Sequence, residues 1–112
     1  MLSMQGIAQE SATFFIASSI APGRPCKMIA KMTVNNCNDG DDFFGVSVKT
    51  EGSLCSVIFH GFVTMPYTGT VPTVGYTGLA ANGAGGVKVS TTAIKRLVVA
   101  TDTDNKTVTL LL

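Results

Sequence analysis

The sequence predicts an all-β fold, a small single-domain β-barrel or β-sandwich with little or no helix. Extended apolar segments recur at short intervals and are separated by Gly, Pro and Asn/Asp residues. No stretch carries the 3.6-residue apolar stripe of an amphipathic helix. Short strands at close spacing favour a barrel or sandwich over a parallel sheet, whose strands are separated by crossover helices.

Two extended segments lie in the first third of the chain. Residues 12–17 are apolar and form the first predicted strand. Residues 26–34 alternate strictly, which predicts one half-buried strand with lysines on its outer face. The residues predicted to face inward are Cys26, Met28, Ala30, Met32 and Val34.

A polar segment separates these strands from the next two. Residues 35–42 are rich in Asn and Asp and predict a turn. Residues 43–48 resume the extended pattern, and Gly52 marks a hairpin into a strand over residues 54–65. Pro66 should end that strand, because proline has no backbone N–H to donate.

The segment 56–67 is apolar on both faces of a strand. By the period-2 rule, one face carries Val57, Phe59, Val63 and Met65. A chain of this size has few layers with which to cover the opposite face, so we expect that face to contact a partner. The residues predicted to form this subunit contact are Ile58, His60 and Phe62.

Glycines interrupt the chain over residues 67–86, which predicts a loop-rich excursion packed by Tyr67 and Tyr76. The last strands follow, with a tight hairpin joining the final two. They are predicted at residues 87–89, 94–101 and 107–112. No internal repeat and no second domain are evident.

The composition narrows the classes of function. Hydrophobic residues make up 46% of the chain and charged residues 13%, about half the roughly 25% typical of soluble proteins. A subunit that shares its surface with neighbours would have this composition. The net charge of +1 comes from scattered cations and there is no Trp, so nucleic-acid binding is not indicated. No segment has membrane-spanning length, and Glu10 before the first apolar run argues against a signal peptide.

No set of residues predicts a catalytic site or a cofactor. His60 is the sole histidine and lies in a strand pattern, so we expect it at a surface or subunit contact rather than in a nucleophilic site. The odd set of thiols, Cys26, Cys37 and Cys55, lacks zinc-ligand spacing and predicts reduced cysteines.

Two loops carry weak ligand signals. Asp39, Asp41 and Asp42 are the best candidate cation ligands, but the twelve-residue calcium loop with its distal glutamate is absent. We therefore expect a solvated turn and no metal. Residues 83–88 have the glycine density of a phosphate loop, but a strand follows them where a P-loop requires Gly-Lys-Ser/Thr at a helix start, so we expect a turn.

The second part of the chain, about residues 42–112, resembles small β-rich head-decoration proteins, or capsid cement proteins, of tailed bacteriophages and prophages. The resemblance rests on glycine-punctuated strands. Its motifs are Phe44-Gly-Val, Gly61-Phe-Val-Thr-Met-Pro-Tyr-Thr-Gly, Pro72-Thr-Val-Gly-Tyr, Leu79-Ala-Ala-Asn-Gly-Ala-Gly-Gly-Val-Lys, Leu97-Val-Val-Ala and Lys106-Thr-Val-Thr-Leu-Leu-Leu.

This resemblance implies a barrel or tulip-like domain, a homotrimer that binds the lattice of the major capsid protein. The implied protein is non-enzymatic, lies on the virion surface after assembly in the host cytoplasm, and binds neither nucleic acid nor membrane. Residues 1–10 would form an N-terminal arm and residues 11–112 the β domain. The alternative is a carbohydrate- or receptor-binding module of a phage tail, with Tyr67 and Tyr76 at its binding site.

Overall fold

The computed structural model describes residues 9–112, which form ten β-strands in two closed five-stranded barrels. The all-β prediction is confirmed, and this part of the chain contains no helix. The strands are β1 (Glu10–Ile16), β2 (Pro25–Ala30), β3 (Thr33–Asn36), β4 (Gly45–Glu51), β5 (Leu54–His60), β6 (Phe62–Thr68), β7 (Gly75–Ala81), β8 (Val87–Val89), β9 (Lys95–Asp102) and β10 (Thr107–Leu111).

The two barrels have the same topology. The strand order of the first barrel is β1-β3-β2-β4-β5. Followed in the same direction, the strand order of the second barrel is β6-β8-β7-β9-β10. In each barrel the first and third strands are parallel, and all other neighbours are antiparallel. The chain therefore contains a repeat of fold, which the sequence did not reveal.

Gly61 divides the segment that was predicted as one strand over residues 54–65. Its φ of 116° lies in a region that L side chains rarely adopt. The chain turns there, so β5 belongs to the first barrel and β6 to the second. The segment is apolar on both faces because each of its halves serves a different barrel.

The predicted strand over residues 26–34 is instead a hairpin of β2 and β3. Lys31 and Met32 form its two-residue turn, with Met32 at a φ of 53°. Cys26 and Val34 are fully buried as predicted, whereas Met28 and Met32 are nearly half exposed. The turn lacks Gly, Asn and Pro, so the usual sequence signal for it is missing.

The glycine-rich region contains a strand that was not predicted, β7, which pairs with both β8 and β9. Pro66 lies inside β6 and does not end it. Tyr67 donates its N–H to the carbonyl of Lys106, on the β10 side of β6. Since N–H groups alternate in direction along a strand, an N–H at Pro66 would face β8 instead. Pairing with β8 begins only at Tyr67, so no hydrogen bond is lost at Pro66. Of the predicted N-terminal arm (1–10), residues 1–8 lie outside the described part, and Glu10 already belongs to β1.

Each barrel has a core, and the second core includes residues of the first barrel. Phe14, Cys26, Val34, Cys55 and Val57 are among those that fill the first barrel. The second cluster contains buried side chains from β6 to β10 together with two residues from the first half of the chain. Those two residues are Phe43 and Val46.

The turn between β9 and β10 offers a test of local strain. Lys106 is exposed with a φ of 53°, a conformation that costs a non-glycine residue about 1 kcal/mol. We expect Lys106→Gly to raise the free energy of unfolding by about 0.5–1 kcal/mol in urea titrations. Thr103→Gly, in the same turn at an ordinary φ, should lower it. A destabilised Lys106→Gly variant would contradict the assigned conformation.

Candidate interaction surfaces

The predicted subunit-contact residues lie near the junction of the two barrels. Ile58 is half-buried and packs against the second core cluster, so the second barrel covers this outward-facing residue of the first. Phe62 is half-buried, and its carbonyl accepts a hydrogen bond of 2.7 Å from Gln9. The His60 side chain is largely exposed. Contact of these three residues with another subunit stays a prediction.

Four other apolar residues lie exposed at one end of the first barrel. Phe15 and Leu54 are paired on neighbouring strands and are 55% and 41% exposed. The N–H of Phe15 donates to the carbonyl of Met32 at 2.8 Å, which places the β2–β3 turn beside them. Ile29 lies at a bulge of the same hairpin. We call Phe15, Ile29, Met32 and Leu54 the hairpin patch.

A second exposed apolar group lies on the second barrel. Val71 and Val74 belong to the β6–β7 loop, and Tyr76 follows on β7. Val74 and Tyr76 are 61% and 75% exposed. We call these three residues the Val74 patch. Tyr67 is buried in the core, so the predicted pairing of Tyr67 with Tyr76 as an open binding platform is wrong.

Sequence reasoning missed the hairpin patch and, apart from Tyr76, the Val74 patch. Adjacent Phe14 and Phe15 in one strand must face opposite sides, and this was a usable signal for an exposed aromatic residue. Val71 and Val74 lie in a segment interpreted as a self-packed excursion, and no periodic pattern marks them as exposed.

The acidic loop between β3 and β4 joins the barrels. The Asp39 carboxylate lies 2.8 Å from the Lys88 Nζ on the second barrel. Gly40 donates its N–H to the carbonyl of Ala81, and Ala81 donates to the carbonyl of Asp41. Asn38, Asp39, Gly40 and Asp42 are exposed in a turn, as expected. The loop also forms part of a clamp between the barrels, which was not predicted.

Asp41 has its own basic partner within the first barrel. Its Oδ2 accepts hydrogen bonds from the Lys27 Nζ at 2.7 Å and from the Asn38 N–H at 2.8 Å. Lys27 first, and Asn38 second, hold the pKa of the Asp41 carboxyl below its usual value. Among residues 9–112, no group of three or more His, Cys, Asp and Glu side chains could hold a metal ion.

Phe43 extends the clamp into the second barrel. The Arg96 guanidinium donates to the Phe43 carbonyl and lies over the Phe43 ring, with 5.0 Å from Cζ to the ring centre. Cation–π contact of this kind stabilises a partly buried cation. Burial lowers the pKa of Arg96.

The glycine-rich loop, residues 82–86, has a structural use. The Asn82 side-chain oxygen accepts hydrogen bonds from the N–H groups of Ala84 and Gly86, so these two donors are not free for a phosphate. A Cβ on Gly86 would lie 2.3 Å from the Pro66 carbonyl oxygen. Glycine is needed there because two backbone segments touch.

Within residues 9–112, His60 has no hydrogen-bond partner that would activate it for catalysis. Its nearest acidic atom, the Glu10 Oε1, lies 3.9 Å from Nδ1, which is too long for a hydrogen bond. No serine or cysteine in the described part of the chain donates to it.

No protein-family model matches the chain, and no curated protein is significantly similar to it. No helix in residues 9–112 could span a membrane.

The pKa of Asp41 predicts a pH dependence of stability. Because this pKa is lowered on folding, the ion pair stabilises the fold fully above about pH 4, the unfolded value. The contribution is lost as the pH falls through the lower folded value. Asp41→Asn should therefore destabilise at neutral pH, with a difference from wild type that shrinks in acid. We would measure urea unfolding from pH 3 to 7.

Asp104→Asn is the matched control for this experiment, because the Asp104 carboxylate has no ion pair or side-chain hydrogen bond within residues 9–112. Its effect should be small at every pH. A difference between wild type and Asp41→Asn that grew on acidification would contradict the role of the Lys27–Asp41 pair.

The thiols should react slowly in the folded protein. Burial raises the pKa of Cys26 to about 12 and that of Cys37 to about 11, and Cys55 is fully buried. At pH 8 the thiolate fraction of Cys37 is then on the order of one in a thousand. We expect Ellman's reagent to label the native protein at least about 100-fold more slowly than the urea-unfolded protein.

Cys37 is half-buried and the other two thiols are buried, so we expect Cys37 to react first when the native protein is labelled. Cys37→Ser should therefore remove the fastest phase of native labelling. Rapid labelling of all three native thiols would show that the first barrel opens readily.

Proposed function

We propose that this chain is a non-enzymatic structural protein of a virion, which decorates and stabilises an assembled head shell. Its partners would be copies of itself, as a homotrimer, and the lattice of the major capsid protein. The observation that carries this proposal is the exposure of large apolar side chains on a barrel whose strands are all paired.

Closed barrels constrain how this protein can associate. Each strand of the described part has a neighbour on both sides, although β2 pairs with β4 only at Pro25 and Cys26. Only short stretches of open edge are therefore available for strand addition, and we expect association to use side-chain surfaces. The hairpin patch suits such a contact, because an aromatic centre with a polar rim is typical of interfaces. The Lys49–Glu51 ion pair, with 2.6 Å between Nζ and Oε1, supplies part of that rim.

Binding to a shell would follow from mass action. A subunit that binds the assembled lattice, and not its free components, stabilises the lattice by its binding free energy. A trimer engages three equivalent sites at once, so weak individual contacts add to high avidity. Low charge, unpaired thiols and the lack of a metal-binding cluster in residues 9–112 support a structural role in a protein assembled inside a cell.

A carbohydrate- or receptor-binding module is the second candidate, and exposed Tyr76 is the observation that favours it. A single aromatic face can stack on a sugar ring. With Tyr67 buried, the platform lacks its second aromatic residue. Specific signals on a glycan array, without binding to assembled heads, would favour this candidate over the shell protein.

The function is tested with heads of the encoding phage, purified after deletion of the gene for this chain. We expect the added protein to cosediment with these heads to saturation and to raise the temperature at which they release DNA. Unassembled capsid protein should not bind. Absence of the chain from purified wild-type virions by mass spectrometry would overturn the proposal.

A further inference from the structure

Because the two barrels have the same topology, the surfaces that meet at their junction have equivalents elsewhere on the chain, and these equivalents are candidates for contacts between chains. The junction joins the β7–β8 loop of the second barrel to the first barrel. Gly83 and Gly85 of this loop come so close that an added Cβ would lie 3.1 Å from Asp39 and 3.2 Å from the Arg24 Cζ. The receiving residues lie in the β3–β4 loop and immediately before β2.

Among residues 9–112, the equivalent loop of the first barrel has no such partner. Because β2 and β3 correspond to β7 and β8, the β2–β3 hairpin corresponds to the docked β7–β8 loop. Residues 28–32 of this hairpin are all exposed. Ile29 and Met32 at its tip are each 47% exposed, and Met32 has a positive φ that a non-glycine residue rarely adopts.

The equivalent receiving surface of the second barrel is also uncovered. Arg24 immediately precedes β2, and Val74 immediately precedes the corresponding strand β7. Val74 is 61% exposed, with Val71 of the same loop at 45%. An apolar tip on the first barrel and an apolar receiving surface on the second are therefore both unpartnered in the described chain, at the two positions that the intrachain junction uses.

We propose that copies of this chain join head to tail, with the hairpin patch of one copy seated on the Val74 patch of the next. The contact between chains would repeat the arrangement that the β7–β8 loop makes within one chain. It is heterologous, because two different surfaces meet, and such contacts form a ring when the rotation between copies closes. This inference rests on the self-association part of the proposed function and names the surfaces that carry it.

Two single variants test the head-to-tail contact by complementation. Ile29→Asp disables the tip and leaves the Val74 patch intact, whereas Val74→Asp disables the receiving surface and leaves the tip intact. Both residues are exposed, so each variant should fold, which far-UV circular dichroism and urea unfolding would check. Light scattering after size exclusion should show an oligomer for wild type and a monomer for each variant alone.

An equimolar mixture of the two variants should form a 1:1 heterodimer and nothing larger, because one intact tip meets one intact receiving surface. Val48→Asp, at a residue of similar exposure (45%) outside both patches, should assemble like wild type. A monomeric wild type, variants that still assemble, or a mixture that stays monomeric would each overturn the head-to-tail contact. Saturable binding of the Ile29→Asp variant to phage heads would show that the proposed function survives such a failure.

Discussion

The structure depends on a core that the two small barrels share. Domains of about 50 residues bury too little surface to be more than marginally stable. The second barrel gains Phe43 and Val46 from the first half of the chain, and Ile58 packs against the same cluster. Arg96 of the second barrel holds Phe43 in place, through its hydrogen bond to the Phe43 carbonyl and its stacking on the ring. The two barrels therefore fold as one packed unit.

This shared core explains why several chemical motifs in the sequence have no chemical role in the structure. The acidic loop must enter the junction for Phe43 to reach the second core, and its carboxylates then meet Lys27 and Lys88. Gly83 lies close to the backbone of Asp39, and both Gly83 and Gly85 have the positive φ that favours glycine. Gly86 is required by the Pro66 carbonyl within the second barrel. Carboxylate clusters and glycine-rich loops are typical of ligand sites, but they are equally what two tightly docked backbones need. Sequence spacing cannot distinguish these two uses.

The all-β class could be predicted because it rests on local periodicity, whereas the division into barrels could not. Alternation over residues 26–34 is the same for a continuous strand and for this hairpin, because the bulge between Met28 and Ala30 compensates for the change of face that a two-residue turn introduces. The turn at Lys31 and Met32 contains no favoured turn residue, so only tertiary contacts reveal it. Gly61 was visible, but one glycine in a strand also signals a bulge. Its role as the boundary between two barrels depends on pairings distant in sequence.

At equivalent positions the two barrels carry polar and glycine residues where they contact each other, and apolar residues where we infer that separate copies meet. The difference follows from the free energy that each kind of contact must supply. Within one chain the two barrels are held at high effective concentration and already share an apolar core through Phe43 and Val46, so the loop contact of the glycines with Asp39 and Arg24 can be polar. A contact between chains must offset the loss of translational and rotational freedom, estimated at about 4–15 kcal/mol. Burial of apolar side chains is the main source of such free energy. Met32 lies in the turn that corresponds to the docked glycine loop, and Ile29 lies just before this turn on β2. Val74 replaces Arg24 at the other position where we infer that separate copies meet.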